Sequence, residues 1–229
     1  SIREQWASLG LAIDYDKERF TLDENLDFAV RTVFKKLYDK GLIYRGERII
    51  NVDPELRTAL SNIEVIHKDV KGSFYYFRYP VIGSKESLVI ATTRPETMFG
   101  DVAVFVNPQD SRYTHLVGKK VINPANDRPL PIMADEYVDK EFGTGVMKCT
   151  PAHDPNDFLL SEKYHLAKPI CMNIDATMNA QGGKYQNLDR YECRNKLLEE
   201  IKSKNLFVKV EKITHSVGHS ERTDSVVEP

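Results

Sequence analysis

A chain of 229 residues with 41% hydrophobic content can bury a sizeable core, as one large domain or a domain with appendages. Its formal net charge of −2 argues against a broad nucleic-acid-binding face, although gripping a few nucleotides needs only a local basic rim. The three cysteines, Cys149, Cys171 and Cys193, are odd in number, far apart and free of any C-x-x-C pair, which supports neither a disulfide framework nor a zinc site. The chain opens on Ser1 without a basic-plus-apolar leader, and no apolar run reaches membrane-spanning length; a piece of a soluble, cytoplasmic protein is expected.

Residues 1–55 read as helical. Thr21-Leu22-Asp23-Glu24 has the form of a capping box, and Leu26, Val30, Val33, Phe34, Leu37 and Tyr38 then recur at helical spacing up to Gly41. From Gly72 the texture changes to short strands broken by Gly, Pro and Asn. Strands are predicted at Phe74 to Tyr79, Ser87 to Thr92, Val102 to Val106, Leu130 to Met133, Val146 to Thr150 and Ile170 to Asn173. Asp189-Arg190-Tyr191-Glu192 resembles a second capping box before a helix through Leu197, Leu198 and Ile201, and Leu206 to Val210 reads as a return strand. There is no internal repeat. The expected fold is α+β, a β-barrel-like core with peripheral helices. It divides into a helical flanking segment at 1–55, the core domain at 56–212 and a return segment at 213–229.

Two stretches carry chemistry. Gly143 to Asp157 gathers two glycines, Lys148, two threonines, His153 and two aspartates within fifteen residues. Its middle reads as a strand delivering Lys148 and Thr150. Asp154-Pro155-Asn156-Asp157 then reads as a helix start, with Asp154 as N-cap and Pro155 at the first helical position. The second stretch, Ala91 to Asp101, follows the apolar run Leu88-Val89-Ile90 and sets Thr92, Thr93, Arg94, Glu96 and Thr97 at a strand end. Taken singly, the aspartates are helix caps, the threonines suit a strand, and Arg94 with Glu96 is a solvated pair.

Together the two stretches resemble the editing (connective-peptide) domain of the class I aminoacyl-tRNA synthetases for valine, isoleucine and leucine. Arg94, Glu96, Lys148 and the Asp154 to Asp157 run follow the valine pattern of that family. So do the flanks Leu9-Gly10, Asp14-Tyr15-Asp16, Gly41 to Arg45, Asn51 to Pro54, Glu221-Arg222 and Val227-Glu228-Pro229, whereas Val52 stands where the family usually has Trp. The resemblance implies a domain that hydrolyses threonine mischarged onto valine tRNA, with the 3′ end of that tRNA and the rest of the synthetase in cis as partners. It implies no cofactor and no metal here. ATP and Mg would serve the synthetic site, whose His-Ile-Gly-His and Lys-Met-Ser-Lys-Ser signatures are absent from this sequence.

By the same resemblance Asp157 holds the substrate ammonium, and Thr150 and Asp154 complete the amino-acid pocket. Lys148 stabilises an oxyanion or binds a phosphate or ribose oxygen. Arg94 grips the RNA end, while Thr92, Thr93 and Glu96 position the terminal nucleotide or the attacking water. Phe142 is a candidate to stack on adenine, with core filler as its plainer role. His153, just before a helix, suits a structural hydrogen bond better than a base. No Ser-His-Asp or Cys-His arrangement calls for a covalent intermediate, so direct attack by water is expected. The rival readings are the same domain from an isoleucine or leucine enzyme, and a non-catalytic module that only docks the tRNA end.

Overall fold

The computed structural model describes residues 1–229, which form two units, Ser1–Arg48 and Ile49–Pro229. The first unit holds helices α1 (Ile2–Ser8) and α2 (Glu24–Asp39). A complete capping box starts α1, with Ser1 and Glu4 as its members. The box expected at Thr21 does not form. The residue ahead of α2 is Asp23, and its carboxylate accepts from the Phe20 N–H at 3.0 Å instead of capping the helix. Gly41, at φ +70°, ends the helical run as expected. Neither helix buries a residue, and Phe28, Val33, Phe34 and Tyr38 of α2 are exposed.

The second unit contains three open sheets; the strands do not close into a barrel. Strands β1 (Asn51–Asp53) and β2 (Thr58–Leu60) form a small ribbon. The long β3 (Val65–Pro80) pairs on one side with β4 (Ser87–Thr92) and on the other with the final strand β9 (Phe207–Ser220). A four-stranded sheet contains β5 (Ala103–Val106), β6 (Lys120–Ile122), β7 (Pro129–Ala134) and β8 (Val146–Cys149) in the order β6-β7-β5-β8. Helices α3 (Pro155–Tyr164) and α4 (Arg190–Ser203) complete the unit. The mixture of helix and sheet is the one the sequence implies.

The main core is built where these pieces meet. Phe77 and Tyr79 of β3, Leu88 and Ile90 of β4, Val104 and Val106 of β5, Ile132 of β7 and Leu197 and Ile201 of α4 are buried in one cluster. In β4 burial alternates residue by residue, as the period of a strand requires. Both predicted caps in this unit hold. Asp154 accepts from the N–H groups of Asn156 and Asp157, and Asp189 from those of Tyr191 and Glu192. The reciprocal half of the second box is missing, because the Glu192 carboxylate pairs with Lys196 at 2.7 Å. Residues 170–173 are not a strand. The Cys171 N–H donates to the His153 ring and its carbonyl accepts from the Asn179 N–H, which leaves only a bridge between Met172 and Met178.

Candidate active site

Three pieces of chain converge on the polar centre of the second unit. The end of β4 runs into a buried helical turn at Pro95–Gly100, followed by Asp101. β8 delivers Lys148 and, one residue past its end, Thr150. The first turn of α3 supplies Asp154 and Asp157. Gly100 is required for this approach: a Cβ there would stand 3.0 Å from the Pro169 carbonyl and 3.1 Å from Thr150 Cγ2.

The first cluster centres on Lys148. Its ammonium donates to Thr97 Oγ1 and Asp101 Oδ1, each at 3.2 Å, and to the Thr150 hydroxyl. The Thr150 hydroxyl donates to Asp101 Oδ1 at 2.7 Å, and the Tyr79 hydroxyl reaches Asp101 Oδ2 at 3.1 Å. All three ammonium donors of Lys148 are therefore taken within the chain. Asp157 bonds through one oxygen only, Oδ2, which accepts from the Thr150 N–H at 2.7 Å. Asp157 is thus not itself the helix cap; it stitches α3 to the end of β8, and the cap is Asp154.

Burial sets the charges here. It pushes the Asp157 carboxyl up from 3.8 to about 7, against the pull of Lys148 and with the help of Asp154. Burial also raises Asp101, with Lys148 and the hydroxyl of Thr150 opposing. Lys148 is the reverse case. Burial works against its charge, but Asp101 and Asp157 more than compensate, and its pKa rises. One ammonium thus faces Asp101, Asp157 and Asp154, so carboxyl groups are in surplus.

The second cluster has the opposite balance. Glu96, completely buried, accepts from Arg194 Nε and Nη2, both at 2.7 Å, and from Arg94 Nε at 3.4 Å. Arg94 also donates to the His153 carbonyl at 3.4 Å and pairs through Nη2 with Glu228, whose other oxygen is held by Arg190. Three guanidinium groups face two carboxylates, leaving one positive charge over. The Arg94 to His153 contact joins this cluster to the loop that leads into α3.

Thr92 accepts from the Arg94 N–H at 3.0 Å and shapes the turn. Thr93 is half-buried and makes no side-chain hydrogen bond within the chain. Phe142 is 67% exposed, with its ring edge-on to Phe74 at 6.2 Å, and so is not core filler. Cys171 and His153 do lie together, with Sγ 3.2 Å from Nε2. They are no nucleophile pair, because burial pushes the thiol up to about 12 and the imidazole down to about 4. Sequence reasoning missed Asp101, Arg190, Arg194 and the role of Glu228. Asp101 closes a stretch already singled out, and Arg190 and Arg194 share a helix face at i, i+4; nothing local points to Glu228. No group of three or more His, Cys, Asp or Glu side chains converges as a metal site.

The model of the class I tRNA synthetases for isoleucine, leucine, methionine and valine matches residues 1–227. The chain belongs to that family. Within it, the chain is 60% identical over 228 residues to the valine–tRNA ligase of Staphylococcus carnosus, 59% to that of Staphylococcus haemolyticus and 58% to that of Staphylococcus aureus. Each comparison covers 100% of this chain and 26% of the relative, so the chain spans about a quarter of their length. A LeuRS from Agrobacterium radiobacter K84, solved in a ternary complex with tRNA and LeuAMS, aligns at TM-score 0.47 and 19% identity, over 94% of this chain and 35% of that one. No helix is long and apolar enough to cross a membrane.

Proposed function

We propose that this chain is the editing module of a valine–tRNA ligase, and that it hydrolyses the ester joining threonine to the terminal ribose of valine tRNA. The observation that carries the reading is the opposite charge balance of two adjoining clusters. The surplus carboxyls around Asp157 suit an ammonium, and the unmatched guanidinium around Arg94 suits a phosphate. An aminoacyl ester at an RNA end carries those two charges side by side. The valine assignment is supported by the identity to valine–tRNA ligases over the whole chain.

Such a module answers a physical need. A synthetic pocket made for valine can scarcely reject threonine, which is nearly isosteric. In valine enzymes as a class that discrimination is known to be only about a hundredfold. A second pocket of polar partners reverses the preference, since bound valine would leave a buried polar group unpaired at about 1–3 kcal/mol.

The groups divide the work accordingly. The uncommitted Oδ1 of Asp157 takes the substrate ammonium, which pulls its carboxyl into the charged form. Lys148, saturated by Thr97, Asp101 and Thr150, acts through its field and fixes the Thr150 and Asp101 side chains. Asp154 caps the helix that carries Asp157 and adds negative charge beside it. The free Thr93 hydroxyl holds the terminal nucleotide or the attacking water. The water oxygen attacks the ester carbonyl carbon and the bond to the ribose oxygen breaks. That oxygen leaves as a hydroxyl, taking up the proton that the attacking water gives up, and free threonine departs. The remainder of the synthetase, the tRNA and a cytoplasmic setting are the partners and place this reading entails.

The test is deacylation of valine tRNA carrying threonine or valine. Faster loss of the threonyl ester is expected. Equal rates would remove the hydroxyl-reading pocket, and protection of both esters would make the chain a docking module.

A further inference from the structure

We infer that Glu228 is a positioning residue for this reaction: it fixes the Arg94 guanidinium so that the two donors left free meet a phosphate of the substrate. The inference rests on the editing reading and deepens it at one site. Of the five N–H groups of Arg94, three are committed, to Glu96, to the His153 carbonyl and to Glu228. The remaining two belong to a side chain that is 26% exposed, while Glu96 is fully enclosed and Glu228 nearly so. Arg94 and Arg194, the latter 21% exposed, are therefore the two open ends of a network with one positive charge in excess, and only Arg94 is oriented by Glu228. The natural complement of that excess is an anion, and along an RNA end that anion is a backbone phosphate.

Glu228 does more than balance charge. Its two oxygens bridge Arg94 and Arg190, and its backbone is bonded in both directions to Val52, with Val52 N–H to Glu228 carbonyl at 2.7 Å and the reverse at 2.9 Å. Arg190 is held in turn by the Val226 carbonyl at 2.9 Å. The carboxylate that orients Arg94 is thus anchored by β1, which contributes no other group to the site, and by α4, which also supplies Arg194 to Glu96. An ion pair with so little freedom selects one guanidinium plane and forbids the rotamers in which Arg94 would fold away.

Charge and geometry make opposite predictions, which gives the inference its test. Removing the negative charge of Glu228 leaves Arg94 more positive, so a purely electrostatic site would bind phosphate more tightly. A positioned site would bind it less tightly. The probes are a non-hydrolysable threonyl-adenosine amide and the same molecule bearing a 5′-phosphate, titrated calorimetrically into the chain and into Glu228→Gln and Glu228→Asp. The aspartate keeps the charge but is too short to hold both arginines, so any loss it shows is geometric. For the unaltered chain the 5′-phosphate is expected to tighten binding about tenfold or more, the order of one charge-assisted hydrogen bond. In both variants that gain should shrink to less than about threefold while affinity for the unphosphorylated amide stays within about twofold. A gain that is preserved or increased in either variant overturns the role of Glu228 and leaves the editing reading intact. Failure of the unaltered chain to bind the unphosphorylated amide overturns both. Thermal melting of each variant separates these results from loss of fold, and the aspartate variant carries the test should the glutamine variant unfold.

Discussion

Acidification from pH 7 to pH 5 is expected to weaken binding of the threonyl-adenosine amide about fiftyfold, through Asp157 alone. The carboxyl is pushed up to about 7, chiefly by burial. With that value about half the molecules carry a charged Asp157 at pH 7 and only about one in a hundred do at pH 5, so the proposed partner of the ammonium is lost. The ligand's α-amino group, with an ordinary pKa of about 7.7, is about five-sixths protonated at pH 7 and almost wholly so at pH 5, which trims the effect by only about a sixth. Lys148 also stays charged, since its pKa is raised. Calorimetry at pH 5, 6 and 7 measures the affinity directly. Titrations at pH 6 in buffers of different ionisation enthalpy should report about 0.9 proton released per ligand bound. In Asp157→Asn both the slope and the proton release should vanish. A dissociation constant that is flat from pH 5 to 7 would refute the ammonium role of Asp157. A slope that survives in Asp157→Asn would move that role to Asp101, whose carboxyl is also raised by burial.

The same shift has a consequence for stability. A carboxyl with a raised pKa binds its proton more tightly in the folded chain, so its contribution is full below 3.8 and is lost as the pH rises to about 7. Asp157→Asn, which keeps an acceptor for the Thr150 N–H, should therefore be more stable than the unaltered chain at pH 8, by up to about 4 kcal/mol, with the gap closing toward pH 4 in denaturant titrations. That variant should nevertheless hydrolyse threonyl-tRNA at least about tenfold more slowly in a deacylation assay. Asp101→Asn strips the buried Lys148 of its nearest counter-charge and should lower the unfolding free energy by about 3–5 kcal/mol in urea. Asp154→Ala removes the cap of α3, and a loss of about 1 kcal/mol is expected in the same measurement. Gly145→Ala should melt clearly lower, because φ is +73° there and a Cβ would stand 2.6 Å from Arg112 Nη2 and 3.0 Å from the Lys140 carbonyl.

The parts of the fold that were legible in the sequence are those in which burial and backbone pairing repeat locally. Strand β4 is readable from the apolar run Leu88-Val89-Ile90, although its burial then alternates between buried and half-buried positions, and α3 because Asp154 and Pro155 mark its start through local hydrogen bonding. The outer half of the β3–β9 ladder was not. Lys68, Asp69, Lys71, Lys212 and Thr214 lie along it, and it is held by backbone bonds between residues such as Val65 and Ser220 whose side chains do not announce one another. The site divided in the same way. Lys148, Thr150 and Asp157 sit within ten residues, and the fold joins them by hydrogen bonds through Thr150. The assignment of Arg94 and Glu96 to the nucleotide did not foresee that Arg194 and Glu228 would engage them from 98 and 134 residues away. Long-range ion pairs of that kind leave no spacing to read.

The β3–β9 ladder also sets a timetable for synthesis. On a ribosome β3 emerges whole and finds β4 within a few residues, but only at its inner end, from Tyr75 to Pro80. From Val65 to Phe74 its sole partner is β9, which begins at Phe207. At about 5–20 residues per second that edge waits on the order of ten seconds with its N–H and carbonyl groups unpaired. An open edge of this kind invites another nascent chain to pair with it. Lys68, Asp69 and Lys71 lie along the waiting stretch, where charged side chains on an open edge disfavour its pairing with a foreign strand, whereas β9 sets the uncharged Val217, Ser216 and Thr214 opposite them. The charged residues that hid the strand from the sequence pattern thus act as guards against aggregation during the interval before its partner exists.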